Sequence, residues 1–297
     1  MNGIFWGLCG AVLIGGSDCI ARVTSQRVSM SVLFLIIMGL SLTVLSIWLG
    51  VTANWPPWNL RAWSASAVSG LLNLAALYFL YCALARGPVA VASPAASTFT
   101  VLLVGLNVVF GESWSWLQIV AMLVVFAGVA ALAVPSNADK RNSEHYDASW
   151  LRTTVLFGLA AAATVAFRMF LAQEAGAEIG AMHALYLNRV FAVLGAVVLV
   201  AVCLFRSQQL SWPTGSLKHL VIVQALLETG ALGVFLIGSA NGGRVGAAIG
   251  FSAFAAATTF FAWVWLGERI GWQRGICIAV ITFGVLLAIA GNPMEGR

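Results

Sequence analysis

The residues of this chain that could do chemistry are charged side chains placed within long apolar stretches. Arg168, Arg189 and Glu228 each interrupt such a stretch in the second half of the chain. A guanidinium can hold a carboxylate through two parallel hydrogen bonds. Two arginines against one glutamate leave one positive charge over, so these residues form a candidate site for a small molecule that carries a carboxylate. A purely structural ion network among them is the alternative.

The first half of the chain has a smaller charged set. Asp18 and Arg22 are four residues apart and therefore share one face of a helix. They could form an ion pair that anchors the end of that helix. Alternatively, Asp18 could act as a gate or a coupling residue.

Uncharged polar residues form a further candidate surface. One apolar stretch contains Asn73, Tyr78 and Tyr81, and the next has four polar residues at helical spacing: Ser93, Ser97, Thr100 and Asn107. Such side chains could line a wet cavity, or they could only hydrogen-bond a neighbouring helix. All of them except Ser93 and Asn107 are included among the candidate substrate-binding residues.

Catalytic and metal-binding patterns are missing from the sequence. The three histidines, His145, His183 and His219, have no metal-ligand partner four residues later, and the five cysteines stand far apart in apolar stretches. We therefore predict that the protein is not an enzyme and has no metal site or cofactor.

The composition identifies the elements that must position these residues. Of the 297 residues, 61% are hydrophobic and 8% are charged, whereas soluble domains have about 25% charged residues. This balance excludes a soluble enzyme, a DNA-binding domain and a disordered adaptor. The protein is predicted to reside in a lipid bilayer, with no nucleic-acid partner.

The apolar stretches are continuous and long enough for membrane-spanning helices, which need about 20 residues each. Glycines, prolines and charges divide the chain into ten predicted spans: 3–22, 31–52, 62–84, 89–110, 114–134, 152–173, 183–204, 219–240, 245–266 and 271–291. The first span has no basic segment before it, so we predict no signal peptide. The polar stretch 135–151 is predicted to link a first half, 1–134, to a second half, 152–297.

The two halves resemble each other at a constant offset of 156 residues. Gly111-Glu112 corresponds to Gly267-Glu268, and Trp116 corresponds to Trp272. Both glutamates precede a predicted helix, where a carboxylate caps the positive end of the helix dipole. This register predicts a duplication of five helices.

An odd number of spans in each half makes the second half enter the membrane from the opposite side. The predicted fold is therefore an all-α membrane protein of ten transmembrane helices in two inverted five-helix repeats, with a substrate site at their interface. Pro94 and Gly250 occupy equivalent positions. They are candidate hinges beside that site, with an ordinary packing irregularity as the alternative.

The ten spans, the two halves and the paired Gly-Glu resemble the drug/metabolite transporter superfamily of the EamA type. Within it, the chain is most similar to bacterial exporters of aromatic and other amino acids. The resemblance implies a secondary transporter of the bacterial inner membrane that exports small metabolites by alternating access through a central cavity. A multidrug exporter of aromatic cations is the alternative, and a monomer is expected to suffice.

Lysines and arginines are distributed unevenly between the two ends of the predicted spans. The connections after odd-numbered spans hold ten of them, and the opposite end holds three: Arg61, Arg244 and Arg297. Basic residues accumulate on the cytoplasmic side. Both termini are therefore predicted to lie outside.

Overall fold

The computed structural model describes residues 3–86, 98–111, 115–132 and 148–266, together with isolated residues and short stretches between 92 and 96 and between 272 and 287. Regular structure in these residues is helical. The described helices, in chain order, are α1 (Gly3–Ser25), α2 (Met30–Thr52), α3 (Leu60–Arg86), α4 (Phe99–Val109), α5 (Trp116–Leu132), α6 (Ala148–Ile179), α7 (Ala181–Phe205), α8 (Leu217–Gly242), α9 (Arg244–Phe251) and α10 (Phe254–Leu266).

Seven helical segments among the described residues are long and apolar enough to cross a membrane. Six of them contain α1, α2, α3, α6, α7 and α8, and the seventh is Arg244–Trp265, which contains α9 and α10. The helices α4 and α5 are shorter, and the predicted tenth span falls largely outside the described residues. The protein is thus a multi-pass helical membrane protein, whereas the count of ten spans stays a prediction.

The predicted span 245–266 corresponds to the apolar segment Arg244–Trp265, which is not one unbroken helix. The chain forms two helices there, α9 and α10, which are separated by Ser252 and Ala253. The Ser252 hydroxyl donates to the Ile249 carbonyl at 2.5 Å, and the Ala253 amide donates to the Gly250 carbonyl at 3.3 Å. Both bonds have i to i−3 spacing, which tightens the turn and ends the α-helical pattern.

Several contacts between a helix of the first half and a helix of the second half have an equivalent contact in which the two halves trade places. At the offset of 156 residues, α1, α2, α3 and α4 correspond to α6, α7, α8 and α10. The contact between α3 and α6 is equivalent to the contact between α8 and α1. In the same way, α3 contacts α7 as α8 contacts α2, and α4 contacts α6 as α10 contacts α1. This packing is what a two-fold relation between the halves produces.

The equivalent helices run in opposite directions. The start of α1, at Gly3, packs against Gly242 at the end of α8. Glu174, near the end of α6, forms an ion pair with Arg244 just beyond that point. The helix α1 therefore starts at the end of the bundle where its counterpart α6 stops, so the repeats are inverted.

Glycines allow α1 to approach α9 at backbone distance. A Cβ atom added to Gly7 would overlap the carbonyl oxygen of Ala247, and one added to Gly250 would overlap that of Ile4. Backbone can come this close only where a side chain is missing, as in small-residue interfaces between membrane helices. Gly250 is therefore a packing residue, whether or not it is also a hinge.

We expect Gly7→Ala to destabilise the protein, because α1 and α9 must move apart to admit the methyl group. Overpacking of this kind typically costs about 1–3 kcal/mol. The matched control is Gly39→Ala, since nothing lies within 4 Å of an added Cβ at Gly39 in the middle of α2. Thermal midpoints of the two variants in detergent test this, and equal midpoints would contradict the close packing.

Candidate functional site

A cavity of about 60 Å³ lies inside the bundle, with walls from α1, α3, α4, α6, α8, α9 and α10. Its polar lining residues come from both halves of the chain: Ser17, Asp18, Asn73, Tyr81, Arg168 and Glu228. Pockets for drug-sized ligands measure about 300–1,000 Å³, so this cavity holds only a few water molecules. A substrate can enter only when the surrounding helices move apart.

Arg168 presents a charged group to this cavity from α6. Its side chain lines the cavity while the residue is only 9% exposed. No hydrogen-bond partner reaches its Nε or Nη1 among the residues that the structure describes. A buried guanidinium with open donors is costly unless a partner or water supplies the acceptors. Arg168 is therefore available to bind an anionic group.

The backbone around Arg168 is held in place by α3 and α7. The Ser69 hydroxyl donates to the Arg168 carbonyl at 2.8 Å, and the Asn188 amide donates to the Ser69 hydroxyl at 2.8 Å. All three residues are buried. This chain of bonds fixes the α6 backbone and leaves the guanidinium free to bind.

Arg189 of α7 has a different position. Its Nη2 lies 3.4 Å from Oε1 of Glu228 on α8, and the Arg189 side chain is fully buried. Oε2 of Glu228 has no hydrogen-bond partner in the described residues, and Glu228 itself lines the cavity. The pair leaves one carboxylate oxygen available to a ligand. Arg189 therefore neutralises Glu228, while Arg168 is the arginine at the cavity wall.

Met38 of α2 joins this ion pair to the cavity. Its sulfur accepts hydrogen bonds from Nη1 of Arg189 at 3.0 Å and from Nδ2 of Asn73 at 3.2 Å. A thioether is a weak acceptor, so these bonds orient the two side chains more than they stabilise them. Nothing in the sequence indicates this contact, since a methionine in an apolar helix is usually a packing residue.

Tyr81 is fixed at the opposite side of the polar cluster. Nε2 of Gln224 donates to its hydroxyl oxygen at 2.6 Å, and the Thr24 hydroxyl donates to Oε1 of Gln224 at 2.8 Å. These bonds join α3, α8 and α1. Tyr81 therefore offers the cavity a rigid, oriented ring.

Three phenylalanines form an apolar wall of the same cavity. Phe99, Phe251 and Phe254 all line it, and their ring centroids are 5.7–6.2 Å apart. Phe251 and Phe254 flank the break between α9 and α10. The cavity thus combines a charged side with an aromatic side.

Comparison with known proteins shows the family of this chain. The model of the EamA-like transporter family matches residues 1–134 and again residues 152–290. The chain belongs to this family. Members of the EamA-like family are membrane transporters of small molecules rather than enzymes.

A solved structure shares the fold of this EamA-like chain. That structure, named only "Crystal structure of protein", is 19% identical, has a TM-score of 0.74 and matches over 99% of each chain. At that identity the likeness shows the fold alone. No match was found among the curated proteins.

Asp18 changes the charge balance expected for this EamA-like transporter. It lies in the lining of the cavity and is 4% exposed. The cluster therefore contains two carboxylates, Asp18 and Glu228, and two guanidiniums, Arg168 and Arg189. The expectation of one positive charge left over counted only the second half of the chain, and the contact between α1 and α8 supplies the missing acid.

Two of the remaining predicted site residues, Tyr78 and Thr100, are not in the cavity lining. Tyr78 points outward with 47% of its surface exposed, and Thr100 is buried outside the cavity lining in the described part of the chain. Ser97 and Pro94 lie outside the described residues. Of the predicted substrate-binding residues, Asn73, Tyr81, Arg168 and Glu228 line this one cavity, whereas Arg189 lies behind Glu228.

Proposed function

We propose that this EamA-like transporter is a secondary transporter that exports amino acids, aromatic ones included, by alternating access through the cavity between its two repeats. The observation that carries the proposal is Arg168, a buried guanidinium with open donors in a cavity that is otherwise largely apolar. We expect the protein to act as a monomer in the bacterial inner membrane.

The lining offers one group for each part of an amino acid. Arg168 can hold the carboxylate, and Oε2 of Glu228, which has no partner among the described residues, can accept from the ammonium group. Asp18 adds a second acceptor for that group. The wall formed by Phe99, Phe251 and Phe254 suits an apolar or aromatic side chain, since rings pack favourably at these separations.

A multidrug exporter of aromatic cations is the second candidate. The observation in its favour is that Asp18 and Glu228 line one cavity together with an aromatic wall, because lipophilic cations bind carboxylates and aromatic faces. The two candidates differ in whether Arg168 takes part in binding. A guanidinium at the cavity wall does not improve the binding of a cation, whereas it can bind the carboxylate of an amino acid.

Matched ligands distinguish the two candidates in proteoliposomes that contain the purified protein. We expect unlabelled phenylalanine to compete with export of labelled phenylalanine. Its methyl ester, which keeps the ammonium group and the ring but has no carboxylate, should compete at least about 100-fold more weakly. The measurement is the concentration of each competitor that halves the initial rate, with and without a pH gradient.

A lipophilic phosphonium cation serves as the third ligand in the same assay. If the phosphonium cation and the methyl ester both compete better than phenylalanine, the amino-acid proposal is wrong and the cation exporter is favoured. Empty liposomes give the rate of passive leakage of each ligand.

A further inference from the structure

Polar contacts close the end of the bundle at which α1 and α3 begin and α6 and α8 end. Glu174 of α6 forms ion pairs there with Arg244 of α9 and, at 3.4 Å, with Arg61 of α3. Arg61 belongs to the first half of the chain, and the other two residues belong to the second. The Glu174 carboxylate therefore joins the two halves at this end and also holds the start of α9.

The residue before Glu174 makes a second layer of contacts just inside the first. Gln173 accepts a hydrogen bond from Asn107 of α4 at 3.0 Å and donates one to Ser239 of α8 at 2.9 Å. Gln173 is buried. Two consecutive residues of α6 thus hold α3, α4, α8 and α9 together.

This layer lies directly beside the cavity. Glu174 is six residues beyond Arg168 on α6, which is about 9 Å along the helix axis. The lining residues of α3, from Asn73 to Tyr81, lie in the half of that helix farther from Arg61. The contacts of Gln173 and Glu174 therefore lie between the cavity and this end of the bundle.

We infer that Gln173 and Glu174 form the outer gate of the transporter, closed in this structure, and that it opens when Glu174 releases Arg244 and Arg61. The inference rests on the proposed alternating access and on the predicted orientation, in which this end faces outward. The Glu174 and Arg244 side chains are 26% and 20% exposed, so water can replace their contacts on opening. The Arg189 and Glu228 side chains are only 0% and 6% exposed, so we expect this pair to stay intact when the gate opens.

Reaction of a single cysteine in the cavity tests the gate. Ser17→Cys is nearly isosteric and places a thiol in the lining, in a full-length protein whose five native cysteines are replaced. An impermeant maleimide is applied to whole cells and, separately, to inside-out vesicles. We expect Glu174→Gln to raise the labelling rate from outside about tenfold by favouring the open state, with no increase from inside.

Glu178→Gln is the matched control. Glu178 lies one turn farther along α6 and contacts Arg61 at 3.3 Å and Asn59 at 2.7 Å, both of which belong to the segment around the start of α3. It does not contact α9 in the described residues, so we expect its labelling rate to change less than about twofold.

The exchanged pair Glu174→Arg with Arg244→Glu keeps the inference testable if the single variant folds poorly. We expect the exchange to restore part of the slow labelling, because it re-forms the ion pair with α9 but not the one with Arg61. Unchanged labelling in Glu174→Gln, or an equal increase in Glu178→Gln, overturns the inference, and so does labelling of the exchanged pair as fast as that of Glu174→Gln. Labelling needs no substrate. The inference about the gate can therefore be wrong while the proposal of amino-acid export is right, and the reverse is also possible.

Discussion

Arg168→Gln is expected to abolish most export of amino acids while the protein still folds and inserts. Arg168 lines the cavity, and its Nε and Nη1 have no partner among the described residues, so no structural ion pair is lost on its replacement. Loss of one partner of a buried charged hydrogen bond costs about 2–5 kcal/mol in binding. That corresponds to roughly 30-fold to several-thousand-fold in affinity. The measurement is phenylalanine export by proteoliposomes with equal amounts of protein.

Arg168→Lys separates the role of charge from that of geometry. A lysine keeps the positive charge but lacks the planar fork that holds both oxygens of a carboxylate. We therefore expect export between that of the wild type and that of Arg168→Gln. Full export by Arg168→Gln, at an unchanged thermal midpoint, would show that this arginine does not bind the substrate.

The parts of the fold that the sequence predicted are those imposed by the bilayer. Every backbone amide in lipid must be hydrogen-bonded, so long apolar stretches become helices. The offset of 156 residues predicted the two repeats, and the contacts between α1 and α8 and between α3 and α6 match it. The break after Phe251 depends on the local bonds of Ser252 rather than on a proline, and the sequence pointed near it only through the candidate hinge Gly250.

The charged residues of the candidate site could be predicted from the sequence. A charged side chain within a membrane helix is costly unless it faces the protein interior, so Arg168, Arg189 and Glu228 stood out. Uncharged side chains carry no such cost in either orientation. Tyr78 and Tyr81 are three residues apart on α3, yet one is 47% exposed and the other 1%, which only the packing of neighbouring helices decides.

The different positions of Arg168 and Arg189 also depend on tertiary structure. Both are arginines in apolar helices, and the sequence does not say which of them meets Glu228. The structure pairs Arg189 with Glu228 at 3.4 Å and leaves the Arg168 guanidinium at the cavity wall. The ion pair therefore accounts for Arg189 and Glu228, and the carboxylate site that we propose falls on Arg168.

Arg189→Met is accordingly expected to destabilise the fold rather than to act on binding alone. Arg189 is fully buried, and its removal leaves Glu228 as an uncompensated buried charge. Breaking a buried pair by removing one partner typically costs about 3–5 kcal/mol. We expect a lower yield of folded protein and a lower free energy of unfolding, measured by denaturation in mixed micelles.

The double variant Arg189→Met with Glu228→Gln tests whether this loss comes from the pair. Removing both charges removes the uncompensated one, and replacement of a whole buried pair by neutral residues is often close to neutral for stability. We therefore expect the double variant to recover most of the loss of Arg189→Met. If the losses of stability in Arg189→Met and in Glu228→Gln, each made alone, simply add in the double variant, the two residues are not coupled.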